Sequence, residues 1–139
     1  MPETYAIDPQ RGVVFSKGTG VFSYANFVGH MTRMKADPRF RPDFNHLVDC
    51  RELTSLDLTG EQVNELAGRS IFSVRTRRAF VVSSDLQFGM SHMFAAYREL
   101  RGETDARVFR EMREALAWLG LPPDLDPWAA PTTPGTPGP

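Results

Sequence analysis

Short apolar runs with β-strand character alternate with stretches of helical periodicity along most of this chain. Because a helix between two strands returns the chain to the same strand direction, the alternation predicts a mixed, largely parallel sheet covered by helices. We therefore expect a single α/β domain with roughly four or five strands and about four helices. Its 139 residues are enough to bury a core without disulfides or a structural metal.

The predicted strands begin with a hairpin and continue singly. Two β-prone runs, Tyr5–Ile7 and Gly12–Lys17, flank a turn and predict the hairpin. Three later runs, Asn45–Cys50, Ala79–Val82 and Ala106–Phe109, each precede a helical stretch. The run Ala79–Val82, with arginines before it and serines after it, is typical of a buried strand.

Four helical stretches carry an apolar side chain every three or four residues. Ser23, Thr59 and Asp85 mark helix starts, and Gly102 and Gly120 mark helix ends. The side chains expected to face the core are Tyr24, Phe27, Val28, Met31 and Met34 in the first helix, Val63, Leu66, Ala67 and Ile71 in the second, Met90, Met93, Phe94, Tyr97 and Leu100 in the third, and Met112, Ala115, Leu116 and Leu119 in the fourth.

The last part of the chain differs in composition from the rest. Residues 122–139 are dense in Pro, Gly and Thr, which provide neither helix hydrogen bonds nor a face to pack. The sequence therefore predicts a domain over residues 1–121 and a flexible tail over residues 122–139. Trp128 lies in that tail, where it either docks on the domain or stays exposed or loosely packed, and we favour an exposed or loosely packed side chain.

Composition excludes several classes of protein. The formal net charge is -1 at pH 7, so no overall field attracts nucleic acid, and we expect no nucleic-acid partner. No apolar run is long enough to cross a bilayer, and we identify no signal peptide. Cys50 is the only cysteine, which leaves no internal disulfide and too few thiolates for a typical zinc site. We therefore predict a cytoplasmic protein without a membrane span, metal or cofactor.

Three segments carry motifs in a characteristic order. Residues 47–60 form a predicted strand, then a loop, and then Asp-Leu-Thr-Gly at residues 57–60, where a helix starts. Residues 84–90 have the sequence Ser-Asp-Leu-Gln-Phe-Gly-Met, and residues 107–119 form a predicted strand and helix. Together the segments resemble the STAS superfamily, the fold of bacterial anti-sigma-factor antagonists, and in particular its SpoIIAA-like branch of the STAS/SEC14 type. The resemblance implies that Asn45–Cys50 and Ala79–Val82 are adjacent central strands, in which Leu47, Val48, Phe80 and Val82 are buried.

The resemblance implies a phosphorylation switch at one position. In the antagonists, a serine of an Asp-Ser-Ser-Gly motif is phosphorylated to switch binding to a partner. Leu58 and Thr59 stand at the two serine positions here, so the resemblance transfers the phosphoacceptor role to Thr59 alone. Thr59 also begins a capping box with Gln62, which explains the residue without any regulation, and we favour this structural role.

Two functions from different classes are open. The leading hypothesis is a non-enzymatic protein-interaction or regulatory module, whose binding loops follow the carboxyl ends of parallel strands. Its expected binding residues are Asp57, Thr59 and Gly60 in one loop and Asp85, Phe88, Gly89 and Met90 in a second. The alternative is a carrier or sensor of a small apolar or lipid-like ligand, because methionine and aromatic side chains of the third helix would form an adaptable apolar surface. A homodimer is left open.

The remaining polar residues do not define an active site. His30, His46 and His92 lie in different elements, and we expect exposed or hydrogen-bonded histidines unless the fold brings them together. Four arginines, at positions 69, 75, 77 and 78, are expected to be solvated before a strand. Asp49 and Asp57 flank one predicted loop, and Cys50 is expected to be a small buried hydrophobe. No nucleophile with a base and oxyanion donors can be named, so we do not predict an enzyme.

Overall fold

The structure is a computed structural model, and it describes residues 3–103 and 105–129 of the chain. Nine elements follow one another in these ranges, five strands and four helices. The strands are β1 (Glu3–Asp8), β2 (Val13–Ser23), β3 (Asn45–Asp57), β4 (Arg78–Val81) and β5 (Ala106–Phe109), and the helices are α1 (Tyr24–Ala36), α2 (Gly60–Gly68), α3 (Asp85–Glu99) and α4 (Met112–Trp118).

All five strands form one sheet in their chain order. The β1 and β2 strands are an antiparallel hairpin, and the later neighbours β2–β3, β3–β4 and β4–β5 are parallel. Gly12 closes the hairpin turn with a φ of 66°, a conformation that glycine adopts without steric cost. The predicted mixed, largely parallel sheet with four helices is confirmed. None of the helices in the described ranges has the length and apolar character needed to span a bilayer.

Helices cover both faces of the sheet because strand side chains alternate between the faces. One face presents Val13, Phe15 and Leu47, which pack in a cluster with Leu116 of α4. The opposite face presents Phe80 and Val82, which pack with side chains of α2 and α3. Val14 lies on that face too and packs with α1. The side with three helices also holds the buried polar residues that are described below.

The predicted pair of central strands is confirmed. Strands β3 and β4 are parallel neighbours, with Leu47 opposite Ala79 and Val48 opposite Phe80. Leu47 and Phe80 are buried, as is Val82, whereas Val48 is only half-buried. Apolar character therefore identified the strands, although not the full burial of each side chain.

Strands β2 and β3 continue beyond the rest of the sheet. Their pairing extends to Ser23 and Asp57, while β4 pairs with β3 only between His46 and Asp49. We call the two-stranded part, residues 19–23 and 52–57, the β2–β3 extension. The prediction that β3 ends at Cys50 was therefore wrong, because the strand continues to Asp57. Pairing with β2 extends it through a stretch in which polar and apolar side chains do not alternate.

Two predicted helix faces differ from the structure. Helix α2 ends at Gly68, so Ile71 lies outside it. The side chains that α3 buries are Gln87, Ser91, Phe94 and Arg98. Met93 and Leu100, which were expected inside, are 38% and 82% exposed. Polar residues take the inner positions because they find hydrogen-bond partners there, and apolar periodicity cannot detect such partners.

The chain continues to pack after residue 121. Leu125 and Trp128 lie against the core cluster on the α4 face, and the Trp128 ring meets the edge of Phe15 at a centroid distance of 6.3 Å. Trp128 is half-buried and docks on the apolar face, whereas the sequence favoured an exposed or loosely packed side chain. The rest of the predicted tail, residues 130–139, lies outside the described residues.

Replacement of Phe80 tests the position of the core. Phe80 is buried between the sheet and α3, where its ring contacts Phe94 at 5.8 Å. We expect Phe80→Ala to lower the free energy of unfolding by about 3–5 kcal/mol in urea denaturation, as is usual for a truncated buried aromatic side chain. The exposed Leu100→Ala serves as the control and should change it by less than about 0.5 kcal/mol. A loss under about 1 kcal/mol for Phe80→Ala would contradict this core.

Candidate functional site

A cavity of about 90 Å³ lies between the sheet and the three helices α1, α2 and α3. The β2–β3 extension contributes to its wall as well. Most of its lining is apolar, from Phe22, Phe27, Met31, Leu53, Leu56, Leu58, Val63, Leu66, Phe80, Met90 and Phe94. Cavities with such walls stay dry and accept apolar molecules, and a cavity of about 150 Å³ is large enough for benzene. This cavity therefore has room for a molecule somewhat smaller than benzene.

Three polar side chains from separate elements meet at the cavity wall. Ser16 of β2, His30 of α1 and His46 of β3 all line the cavity and are buried. The Ser16 hydroxyl oxygen lies 2.7 Å from Nε2 of His46 and 2.8 Å from Nε2 of His30. We call these three residues the Ser16 cluster. The fold thus brings His30 and His46 together, a possibility that the sequence left open.

A buried group of charges adjoins the Ser16 cluster. The Arg78 guanidinium donates to Oε1 of Glu103 at 2.9 Å, and the Arg98 guanidinium donates to Oε2 of the same carboxylate at 2.7 Å. Arg78 also donates to Nδ1 of His46 at 3.0 Å, and Arg98 donates to the backbone oxygen of Ala67 at 2.7 Å. The expectation of a solvated Arg78 was wrong, because Glu103 compensates its charge inside the protein.

Aromatic rings enclose the Arg78 side chain further. Its guanidinium carbon lies 5.3 Å from the ring centroids of both Phe72 and Phe94, a distance at which a cation is attracted to the ring. The ring of Phe72 also stacks on His46 at 4.3 Å. The position of Arg78 is therefore fixed by charge, by hydrogen bonds and by ring contacts.

Burial keeps both histidines of the cluster neutral at neutral pH. It lowers the pKa of His30 to about 4, and the charge of Arg33 contributes in the same direction. Burial also lowers the pKa of His46 well below its usual range, with further contributions from the charges of Arg78 and His30. Each imidazole consequently has one nitrogen that donates and one that accepts.

The first predicted loop is exposed at the start of α2. The Thr59 hydroxyl accepts a hydrogen bond from the backbone N–H of Gln62 at 3.1 Å, and the Gln62 side-chain oxygen accepts one from the backbone N–H of Thr59 at 2.9 Å. The capping box is therefore present. Asp57 and Gly60 are exposed on either side. Between them, Leu58 points inward far enough to line the cavity.

The second predicted loop forms the first turns of α3. Asp85 is exposed and accepts from Arg110 at 2.9 Å, and Phe88 lies under the Arg110 guanidinium at 4.8 Å. Gly89 is exposed, and Met90 lines the cavity. The predicted loop residues therefore divide into two groups, since Met90 reaches the cavity and the others lie at the surface or against Arg110.

The other sequence candidates do not form a second site. Asp49 is buried and accepts two hydrogen bonds from the Arg51 guanidinium, at 2.9 and 3.0 Å, whereas Asp57 is exposed at the end of the same strand. Asp57 follows Asp49 by eight positions, which in an extended strand is about 26 Å, too far for paired carboxylates. Cys50 is buried as expected, and burial raises the pKa of its thiol to about 12. The described residues contain no group of three or more histidine, cysteine or acidic side chains suited to a metal ion.

Sequence reasoning missed the Ser16 cluster and the buried arginines. A signal existed in the alternation of β4, because Arg78 and Phe80 occupy positions two residues apart and so face the same side of the sheet. Ser16 likewise follows Val14 at the same spacing in β2. Polar residues at buried positions of an otherwise apolar strand therefore indicate a buried polar network.

A solved structure with the same architecture supports the assignment of fold. It belongs to an uncharacterized protein of the DUF3478 family with a SpoIIAA-like fold from Shewanella loihica PV-4. That protein is 19% identical to this chain, and the two superpose with a TM-score of 0.56 over 84% of this chain and 93% of the other. Neither a protein-family model nor a curated protein matches the chain. The likeness shows the fold, so this protein has the SpoIIAA-like α/β fold that the sequence motifs predicted.

The capping box at Thr59 gives a stability prediction. Thr59→Ala removes the acceptor for the Gln62 amide and should lower the free energy of unfolding by about 0.5–2 kcal/mol. Thr59→Asp should retain most of the stability, because aspartate also caps and its charge suits the positive end of the helix dipole. Urea denaturation of the three proteins measures both effects. Equal stability of Thr59→Ala and the wild type would show that the cap contributes nothing.

The neutral histidines predict that stability falls in acid. Since His30 has a pKa of about 4 when folded and about 6.5 when unfolded, the unfolded state binds more protons between these values. The contribution of neutral His30 to the free energy of unfolding is complete above pH 6.5 and should fall by about 3 kcal/mol as the pH drops to 4. His46 acts in the same direction. Denaturation between pH 7 and 4 should therefore show a steeper loss for the wild type than for His30→Gln, and parallel curves would contradict the prediction.

Proposed function

We propose that this protein is a non-enzymatic sensor that binds a small apolar ligand in the cavity between the sheet and α1, α2 and α3. The observation that carries the proposal is that α3, although it packs on the sheet, also lines a cavity there, through Gln87, Met90, Ser91 and Phe94. Well-formed apolar cavities with a few polar groups are the usual sites for small molecules. The volume favours a compact molecule over a long acyl chain.

The route from the cavity to the surface supports a sensor. Leu58 lines the cavity and immediately precedes the exposed helix start at Thr59. Met90 lines the cavity one helical turn after the exposed residue Leu86. A ligand that shifts Leu58 would therefore move the start of α2, and a ligand that shifts Met90 would move the start of α3. A partner that binds these helix starts would then detect whether the cavity is occupied.

The hydrogen bonds of the Ser16 cluster support the non-enzymatic part of the proposal. A serine becomes a nucleophile when a base that a third group orients accepts its proton. Arg78 donates to Nδ1 of His46, so Nε2 of His46 carries a proton and donates to Ser16. Among the described residues, no group pairs with the Nδ1 atom of His30, the other neighbour, and so none orients its ring as a base. This geometry does not activate the serine hydroxyl.

Two tryptophan substitutions on α3 test the proposal. Met90→Trp places a large ring in the cavity, whereas Met93→Trp adds the same ring to a residue of the same helix that does not line it. We expect xenon under pressure, followed by NMR, to shift resonances of cavity residues in the wild type and Met93→Trp but not in Met90→Trp. Native mass spectrometry should show a small bound molecule with the same pattern. A wild type that takes up no xenon and carries no ligand would overturn the proposal.

A second candidate function is a protein-interaction module at the two helix starts. The observation that favours it is their open surface, since a Cβ atom built on Gly60 or Gly89 meets nothing within 4 Å, and Leu86, in the same turn of α3 as Gly89, is 55% exposed. Affinity capture with the wild type and Leu86→Glu tests this function. A partner that binds the wild type and loses affinity for Leu86→Glu would support it, and equal recovery with both would contradict this surface.

A further inference from the structure

The buried ion pairs leave one positive charge without a counterion. Arg78 and Arg98 share the single carboxylate of Glu103, so two positive charges face one negative charge. Within the described ranges, no other carboxylate forms an ion pair with either arginine. A buried charge is costly unless an opposite charge or hydrogen-bond partners compensate it. The excess charge therefore favours an anion near these arginines.

Ser70 connects this charge with the outside of the protein. The Arg78 guanidinium donates from Nη2 to Oγ of Ser70 at 2.8 Å, and the backbone N–H of Phe72 donates to the same oxygen at 3.3 Å. A hydroxyl has two acceptor lone pairs and one proton, so Ser70 can form a further hydrogen bond only as a donor. Ser70 is half-buried, and its hydroxyl donates to no group among the described residues.

Ser70 lines a second pocket, which lies between the ends of α1 and α2 and has a volume of about 560 Å³. It shares no lining residue with the cavity under α3, and its volume is in the range of small-molecule sites, about 300–1,000 Å³. We call it the basic pocket, because two cations and no carboxylate line it. The residues that the argument uses are Lys35, Phe40, Pro42, Arg69, Ser70 and Ile71.

The apolar wall of the basic pocket is fixed by contacts with the core. The Phe40 ring meets the edge of the buried Phe72 ring at a centroid distance of 5.3 Å. The backbone N–H of Ser73 donates to the carbonyl oxygen of Pro42 at 2.8 Å, which ties the two loops of the pocket together. Ile71 packs on the same core cluster as Phe40. A wall that is in place before binding lowers the entropic cost of binding a ligand.

The two cations of the pocket retain capacity for an anion. Arg69 donates from Nε and Nη2 to Oε1 of Glu65, at 3.1 and 2.9 Å, and its Nη1 atom has no such partner. Lys35 is exposed, and its ammonium group pairs with no described residue. The ends of α1 and α2 each carry about half a negative charge, which does not offset Lys35 and the buried excess charge together.

We propose that the basic pocket binds a small organic anion, whose carboxylate or phosphate group pairs with Lys35 and Arg69 while its apolar part packs on Phe40 and Ile71. This site goes beyond the proposed cavity function and does not depend on it. The exposed positions of Lys35 and Arg69 let the anion keep part of its hydration, which a closed apolar cavity would remove.

The experiment compares three probes that share a benzene ring. Benzoate and phenyl phosphate are anions, whereas benzamide has a neutral amide in place of the carboxylate. The cavity of about 90 Å³ under α3 is too small for any of them. NMR titration at constant pH and ionic strength gives the dissociation constants for the wild type, Lys35→Gln and Lys35→Arg. Arg33→Gln is the matched control, because it removes an exposed positive charge of the same helix that does not line the pocket.

We expect the wild type to bind at least one of the two anions and to bind benzamide at least tenfold more weakly than benzoate or phenyl phosphate, whichever is tighter. The tighter anion identifies the charged group. Lys35→Gln should weaken its binding about fivefold, equivalent to about 1 kcal/mol, because the pair is partly exposed. Lys35→Arg should restore most of the affinity, and Arg33→Gln should change it less than about twofold.

Three results would overturn the anion site. They are binding of neither anion by the wild type, equal affinity for benzamide and the anions, and equal losses for Lys35→Gln and Arg33→Gln, since the last would report only the overall charge. Lys35 is exposed, so its variants should unfold in urea as the wild type does. Xenon uptake reads the other cavity, so the failure of one site is distinguishable from the failure of the other.

Discussion

The buried ion pairs of Glu103 with Arg78 and Arg98 hold together the side of the sheet that carries the three helices α1, α2 and α3. The carboxylate side chain is 0% exposed and has one guanidinium on each oxygen. One arginine lies at the start of β4, and the other reaches from α3 to the last turn of α2. Removal of one member of such a group typically costs about 3–5 kcal/mol, because a buried charge is left without its partner. The strand and both helices thus depend on this single carboxylate.

The same ion pairs determine the chemistry of the cavity. Glu103 keeps Arg78 charged inside the protein, and Arg78 then sets which nitrogen of His46 carries a proton. His46 then donates from Nε2 to Ser16, whose hydroxyl is also within hydrogen-bond distance of His30, and all three residues line the cavity. The Arg78 charge therefore controls the hydrogen-bonding character of the neighbouring cavity wall, and Arg78 lines the cavity as well.

Local patterns were sufficient for much of the fold. Three helix starts follow from side chains that cap amide groups, at Ser23, Thr59 and Ser84, the last directly before the predicted start at Asp85. Apolar runs located β4 and β5. The patterns failed where a polar residue lies inside. The inner face of α3 was misplaced because Gln87 and Arg98 are buried, with partners distant in sequence at Leu53 and Ala67. No sequence period reports such partners.

The sequence by itself determined the order of strands and helices, the parallel sheet, the cap at Thr59 and the buried state of Cys50. These properties depend on local hydrogen bonds and on the spacing of apolar side chains. Only the tertiary structure decided that Ser16, His30 and His46 meet at one cavity wall, and that Arg78 lines the cavity beside them. These contacts join residues 14–32 positions apart, and their geometry arises only when the helices pack on the sheet.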